Sequence, residues 1–203
     1  MRHYHIHRTP RLTPDWALAE VLTDFSFPWE DRQAPATEFR ALWDAETFFF
    51  RFDCVDHDLV LSAGETLKER VLGSDRVEIF ITPDLSLKPY YCFEMSPRCE
   101  ALAYRGNFHR QFDWQWTCPE LALRASIAEQ RYQVEGSLPL ATLRALDVLK
   151  ADTQEFYAGV FRGEFRHLED GSVQPGWMPW CDPKTEKPDF HVPAAFGVFE
   201  FVA

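Results

Sequence analysis

The chain has 203 residues, 46% of them hydrophobic and 26% charged, with 18 Phe, 7 Trp and a formal net charge of -11. That length suits one domain with one large core, and an acidic balance without any Lys/Arg run argues against nucleic acid or an anionic membrane as partner. No stretch approaches the ~18 consecutive apolar residues of a membrane-spanning helix. The opening "MRHYHIHRTP" lacks the apolar region of a secretory signal, so the expected location is cytoplasmic, or periplasmic or secreted if a signal has been removed.

After a first strand, "YHIHR", the segment "TPDWALAEVLTDF" predicts a helix or helical turn, with Thr13 as cap, Pro14 at its first position and Asp15 in its first turn. His3, His5 and His7 alternate on the first strand, a spacing that can ligate a metal from one face; exposed imidazoles on a terminal strand are the commoner case. Strands are then predicted over 38–44, 47–56, 75–83, 90–97, 100–106, 121–128, 131–140, 156–165 and 195–202. These segments are rich in Phe, Val, Ile and Tyr and are separated by Asp, Gly, Pro and Ser. One helix interrupts them: "PLATLRALDVLK" sets Leu140, Leu143, Leu146 and Leu149 on one face. The succession predicts an all-β fold, an antiparallel, jelly-roll-like β-sandwich with one or two short helices, in which residues 1–203 form a single domain. The five cysteines, Cys54, Cys92, Cys99, Cys118 and Cys181, are odd in number and show no CxxC spacing, so they are read as inert thiols.

Alternation within the strands carries the functional signal. In "DRVEIFITP", Val77, Ile79 and Ile81 share one face and Arg76, Glu78 and Phe80 the other. Phe48, Phe50 and Phe52 likewise oppose Phe49, Arg51 and Asp53, and Glu94 stands opposite Phe93 and Met95. A wet outer face laced with cross-strand charge pairs explains this pattern. The sharper reading is that Arg76, Glu78, Glu94, Arg162 and Glu164 floor a groove. The late stretch "QPGWMPWCDPKTEKPDFHVP" puts Trp177 and Trp180 in a Pro-rich segment, where indoles are either buried by the loop or left for something flat to lie against. Three residues apart, the two are not expected to face the same way. Trp114 and Trp116, two apart, are expected to share a face as a second platform; Trp16 and Trp43 are read as core. The cluster Asp53, Asp56 and Asp58 is a candidate set of oxygen ligands for calcium.

The segments "EFRALWDAETFFFRFDCVDHDL", "SDRVEIFITPD", "YYCFEMSP", "VEGSLPLATL" and "PDFHVPAAFGVFEF" resemble, in order and across about residues 15–202, the family 9 carbohydrate-binding modules and the stand-alone endoxylanase-like domains related to them. The resemblance implies a β-sandwich, structural calcium ions, and a slot in which two tryptophans clamp a sugar ring while charged and amide side chains bond its hydroxyls. Glu78 matches the acidic residue of the "VEIF" strand that faces the ligand, and Trp177 or Trp180 the late clamp tryptophan. The earlier tryptophan has no match in "KERVLGSD", and Cys92 and Glu94 stand where sugar-binding members place an Arg and an amide. A pyranose offers C–H patches to an aromatic face and hydroxyls to fixed ionic groups.

The expectation is therefore non-catalytic binding of a mono- or oligosaccharide by Arg76, Glu78, Glu94, Arg162, Trp177 and Trp180, with no cofactor other than a candidate calcium. An enzyme acting on glycosidic bonds, which needs two carboxylates across a cleft, and a protein-interaction module are the competing classes.

Overall fold

The computed structural model describes residues 1–10, 13–150 and 152–203. Its elements run β1 (His3–Arg8), β2 (Thr37–Trp43), β3 (Thr47–Val55), α1 (Leu67–Leu72), β4 (Arg76–Thr82), β5 (Tyr90–Met95), β6 (Ala101–Asn107) and β7 (Gln111–Asp113). They continue with β8 (Ala122–Ala128), β9 (Arg131–Pro139), α2 (Leu140–Ala145), β10 (Glu155–Gly163), β11 (Arg166–His167), β12 (Val173–Gln174), β13 (Trp177–Pro179) and β14 (Gly197–Val202). Strands β11 and β12 form a small separate ribbon. The others make one sheet in the order β7-β6-β5-β4-β10-β14-β1-β2-β3-β9-β8, with β13 added to β10. Every pairing is antiparallel except those of β1, which runs parallel to both β14 and β2. No described helix is long and apolar enough to cross a membrane.

The sheet curls until its two halves face each other, which makes the predicted β-sandwich. Phe39 of β2 centres the aromatic packing of one half. Its ring lies 5.4 Å from Tyr4 of β1, 4.9 Å from Phe52 of β3 and 5.7 Å from Phe199 of β14. Phe48 meets Phe156 across the layers at 6.0 Å. Alternation holds where it was read: Phe48, Phe50 and Phe52 are buried, whereas Phe49, Arg51 and Asp53 are half-buried on the outside. There Arg51 pairs with Asp53 at 2.7 Å and Glu135 at 3.4 Å.

Strands β4 and β5 depart from that pattern, because every residue of both is buried. Their inner side joins the main core. Their outer side carries a second aromatic cluster, with Phe80, Tyr90, Tyr104, Phe161, Phe190 and Phe196 packed together. Loops from β6 to β8 and from β13 to β14 supply that cover, so the outer face of β4 is dry.

Three local expectations change. The segment after Thr13 forms only a 3-10 turn at Trp16–Leu18, capped by Asp15 rather than Thr13. Beyond it the chain stays extended, because Leu22 pairs with Phe39 and, with Phe25 and Phe27, seals the core edge, which a helix could not reach. The second helix ends at Ala145: Leu143 O accepts the amides of both Val148 and Leu149, and Asp147 turns with φ 59°. Helix α1 was not read at all, although its Thr66–Glu69 capping box is a sequence signal. Trp43 is half-buried against the core, and Trp16 is half-buried beside Phe49 in a separate surface depression. Four of the five free cysteines are buried, and Cys99 is exposed. His5 turns to Glu20 and Glu200 rather than to its neighbouring histidines.

Phe39→Ala should lower the unfolding free energy in urea by about 3–5 kcal/mol, the range for emptying a packed aromatic site. Leu18→Ala, at a residue 46% exposed, should change it by less than about 0.5 kcal/mol.

Candidate functional site

Glu78 of β4 and Glu94 of β5 are direct cross-strand partners. Like charges placed opposite each other repel, and both carboxylates are almost fully buried. Arg76, on the same face of β4, makes the arrangement tenable. Its Nε donates to Glu94 Oε2 at 2.6 Å and lies 2.9 Å from Glu78 Oε1. That one N–H is shared between the two oxygens, and Glu78 Oε1 meets no better-aligned donor among the described residues. Arg76 Nη1 donates to the carbonyls of Leu72 and Ser74, and Tyr104 Oη donates to Glu94 Oε1 at 2.7 Å. Loss of solvent, then the neighbouring Glu94 charge, pushes the Glu78 carboxyl well above the usual carboxylate range.

These groups floor an open cavity of about 380 Å³. Trp177 forms one wall. It is placed there by β13, whose Trp177 stands beside Gly163 of β10, which in turn stands beside Arg76. Because Gly163 has no side chain, Arg76 reaches across it, and its guanidinium carbon sits 5.1 Å from the Trp177 ring centroid; a Cβ at 163 would meet Arg76 Nη1 at 3.2 Å. Phe165 and Phe190 hold the half-buried indole edge-on at 5.6 and 5.9 Å. The opposite side carries Tyr104, Phe112 and Trp114, with the Trp114 ring 4.4 Å from Tyr104. The rim is completed by Asp189 and His191. Asp189 holds His109 at 2.6 Å and Arg110 at 3.1 Å. Burial, reinforced by the Arg110 charge, pushes the His191 imidazole down to about 3.

Of the six expected residues, Arg76, Glu78, Glu94 and Trp177 line this one cavity, and Arg162 and Trp180 do not. Arg162 stands beside Val77 in the ladder, on the inner face of β10, where it is fully buried. Trp180 is 4% exposed; its ring lies flat across Gly197, where a Cβ would approach within 2.6 Å, and packs on Phe199. The late segment is partly strand, and three positions along it separate its two indoles onto opposite faces. Trp114 and Trp116 also part company. An Asx turn at Asp113, whose Oδ1 accepts the Gln115 amide, breaks the alternation, and Trp116 packs inside against Tyr91 and Phe93.

The Asp trio separates as well. Asp53 is tied to Arg40, Arg51 and Gln133 on the outer surface, and Asp58 to His167. Asp56 turns inward to Asp75 and Glu164, three buried carboxylates with ligand atoms all within 4.8 Å of one another. Arg162 pairs with Asp56 and Glu164, and also donates to Thr37 Oγ1 and the Val55 carbonyl. Asp75 accepts the amides of Val60 and Phe165. Burial, compounded by neighbouring carboxylates, pushes Asp75 up to about 8; burial likewise raises Glu164 to about 7.

A family model for carbohydrate family 9 binding domain-like domains matches residues 12–203. The chain belongs to that family. Among solved structures, a candidate carbohydrate-binding protein from Bacteroides uniformis is 17% identical over 99% of both chains, with a TM-score of 0.78. A family 9 carbohydrate-binding module from Caldicellulosiruptor kristjanssonii, solved with glucose, is 14% identical over 99% of this chain and 96% of that one, with a TM-score of 0.65. The module from that organism solved with cellotriose gives 14%, 98% and 93%, with a TM-score of 0.63. At these identities the likeness establishes the shared fold. No curated protein sequence matches the chain.

In this family 9-like domain, Tyr104 and the Asp189–His191 turn escaped the sequence reading as wall residues. Tyr104 stands two positions off Glu94 across β5 and β6, a diagonal that only the strand register reveals.

Arg76→Met should lower stability by about 3–5 kcal/mol in urea denaturation, since it strands the buried Glu94 carboxylate beside Glu78. Glu78→Gln should shift it by less than about 1 kcal/mol, because the buried carboxyl already favours its neutral form.

Proposed function

We propose that the cavity floored by Arg76, Glu78 and Glu94 binds a mono- or oligosaccharide without turning it over. The observation that carries this reading is the convergence of Arg76, Glu78 and Glu94 on the cavity floor beside the Trp177 ring. Glu78 Oε1, which shares the Arg76 N–H with Glu94, has room to accept a sugar hydroxyl. Trp177 offers the aromatic surface for the C–H face of a pyranose; Trp114, across the cavity, already packs against Tyr104 and the Lys68 ammonium. The volume and the mixture of aromatic walls with a few convergent polar groups suit a small ligand. The related modules solved with glucose and cellotriose support saccharide as the ligand class.

The two carboxylates favour binding over hydrolysis. A glycosidase sets its acid and its second carboxylate on either side of the bond to be cleaved. Here Glu78 and Glu94 rise side by side from adjacent strands and share one arginine.

Isothermal calorimetry against a panel of neutral mono- and oligosaccharides tests the reading. Trp177→Ala should weaken binding by at least about tenfold, equivalent to about 1.4 kcal/mol, and Glu78→Gln should also weaken it. A wild-type protein that binds no sugar defeats the proposal, and release of new reducing ends from an oligosaccharide replaces it with an enzyme.

We further propose that Asp56, Asp75 and Glu164 hold a calcium ion. The donors are all oxygen, as calcium requires. With all three ionised, they exceed the single charge of Arg162 by two, which a divalent cation balances. When bound, the ion supplies charge neutralisation between the β3–α1 connection, the start of β4 and the end of β10. Without it, Asp75 and Glu164 bind protons more tightly folded than unfolded. Their contribution to stability is therefore complete below the ordinary carboxylate pKa of about 4 and is lost as pH rises through about 7 for Glu164 and about 8 for Asp75. In EDTA the melting temperature should carry that downward component between pH 5 and 8; calcium should remove it and raise the melting temperature at pH 8. Identical melts in calcium and EDTA across that range exclude the site.

A further inference from the structure

The cavity lining is formally balanced, three cations to three carboxylates, but its cations are not all paired. Arg76 is spent on Glu78 and Glu94, and Arg110 on Asp189. Lys68, from the first turn of α1, also lines the cavity but makes no ion pair among the described residues. Its Nζ sits 3.4 Å from the centroid of the Trp114 ring. A ring face attracts a cation but does not neutralise it, so the ammonium is held at the mouth with its positive charge unspent. The ordinary solution for a lysine at a helix start, a carboxylate three or four residues further along the same face, is missing here, where those positions are Val71 and Leu72, and Glu65, three residues earlier, makes no ion pair among the described residues. The local acid, Glu69, is turned back on the Thr66 amide in the capping box.

Taking the cavity as the sugar site proposed above, we propose that its preferred ligand is an acidic sugar, a hexuronic acid unit whose carboxylate pairs with Lys68 while its ring packs against Trp177. The charge balance of the pocket points the same way. Lys68, Arg76 and Arg110 equal Glu78, Glu94 and Asp189 in number, and the burial of Glu78 and its proximity to Glu94 favour its uncharged form, which tips the lining toward positive charge. A neutral sugar leaves that surplus unanswered. It must also displace the ammonium from Trp114 to use that ring, whereas an acidic sugar draws Lys68 toward itself.

The test is calorimetric titration of the whole chain with glucuronic and galacturonic acids beside glucose and galactose, for wild type, Lys68→Met and Lys68→Arg. Wild type should bind the acid about two- to fivefold tighter than its parent sugar, the range for a partly exposed ion pair. That preference should vanish in Lys68→Met, persist in Lys68→Arg, and shrink as salt is raised and the Debye length contracts. Equal affinity for acid and parent sugar, or a preference untouched by Lys68→Met, overturns the assignment and leaves the sugar site standing. Absence of binding by all four sugars overturns both.

Discussion

The candidate site rests on a frustrated pair of acids. Glu78 and Glu94 are forced opposite each other by the β4–β5 register, in a layer from which water has been excluded by the outer aromatic cluster. A single guanidinium relieves them, and it can reach them and the Trp177 wall together only because Gly163 leaves the neighbouring row empty. Remove any of these parts and the others lose their reason to be buried. Glu78 shares its arginine with Glu94, which leaves an acceptor already oriented by the sheet at the bottom of an opening.

Much of this was readable in the chain, for an identifiable reason. A strand with one wet or ligand-facing side announces it by alternation, and "DRVEIFITP" placed Arg76 and Glu78 together on one face before any register was known. Order of motifs carried the β-sandwich. The failures are equally physical. In "FYAGVFRGEF" both parities are apolar, because β10 is covered on both sides, so nothing in the string showed that Arg162 belongs to the inner face. Trp180 was indistinguishable from Trp177 until its ring was seen lying on Gly197 of a strand seventeen positions later. The helix predicted after Thr13 had the right cap chemistry, but the core edge required an extended Leu22, and tertiary burial overrode local preference.

The two acidic centres show how one sheet supports opposite uses of charge. On the outer face of β4, the acids meet an arginine whose Nη1 donates to backbone carbonyls, and an opening lies above them. On the inner face, Asp56, Asp75 and Glu164 come from three distant places in the chain and meet around Arg162. No local motif encodes that meeting. Asp75 and Arg76 are consecutive residues, yet they serve different centres on opposite sides of the sheet, so the step from loop into β4 ties the two together covalently.

The parallel strand β1 has a consequence for how the molecule is made. It lies in the middle of the sheet, bonded on one side to β14 and on the other to β2, so a segment near the beginning of the chain is clasped by one near its end. During synthesis the β2-β3-β9-β8 half can pair as its strands emerge, but the seam that joins it to the half carrying the candidate site stays open until β14 has left the ribosome. Such long-range closure is intrinsically slow, and until it happens the chain exposes unpaired strand edges and aromatic side chains that neighbouring nascent chains can capture.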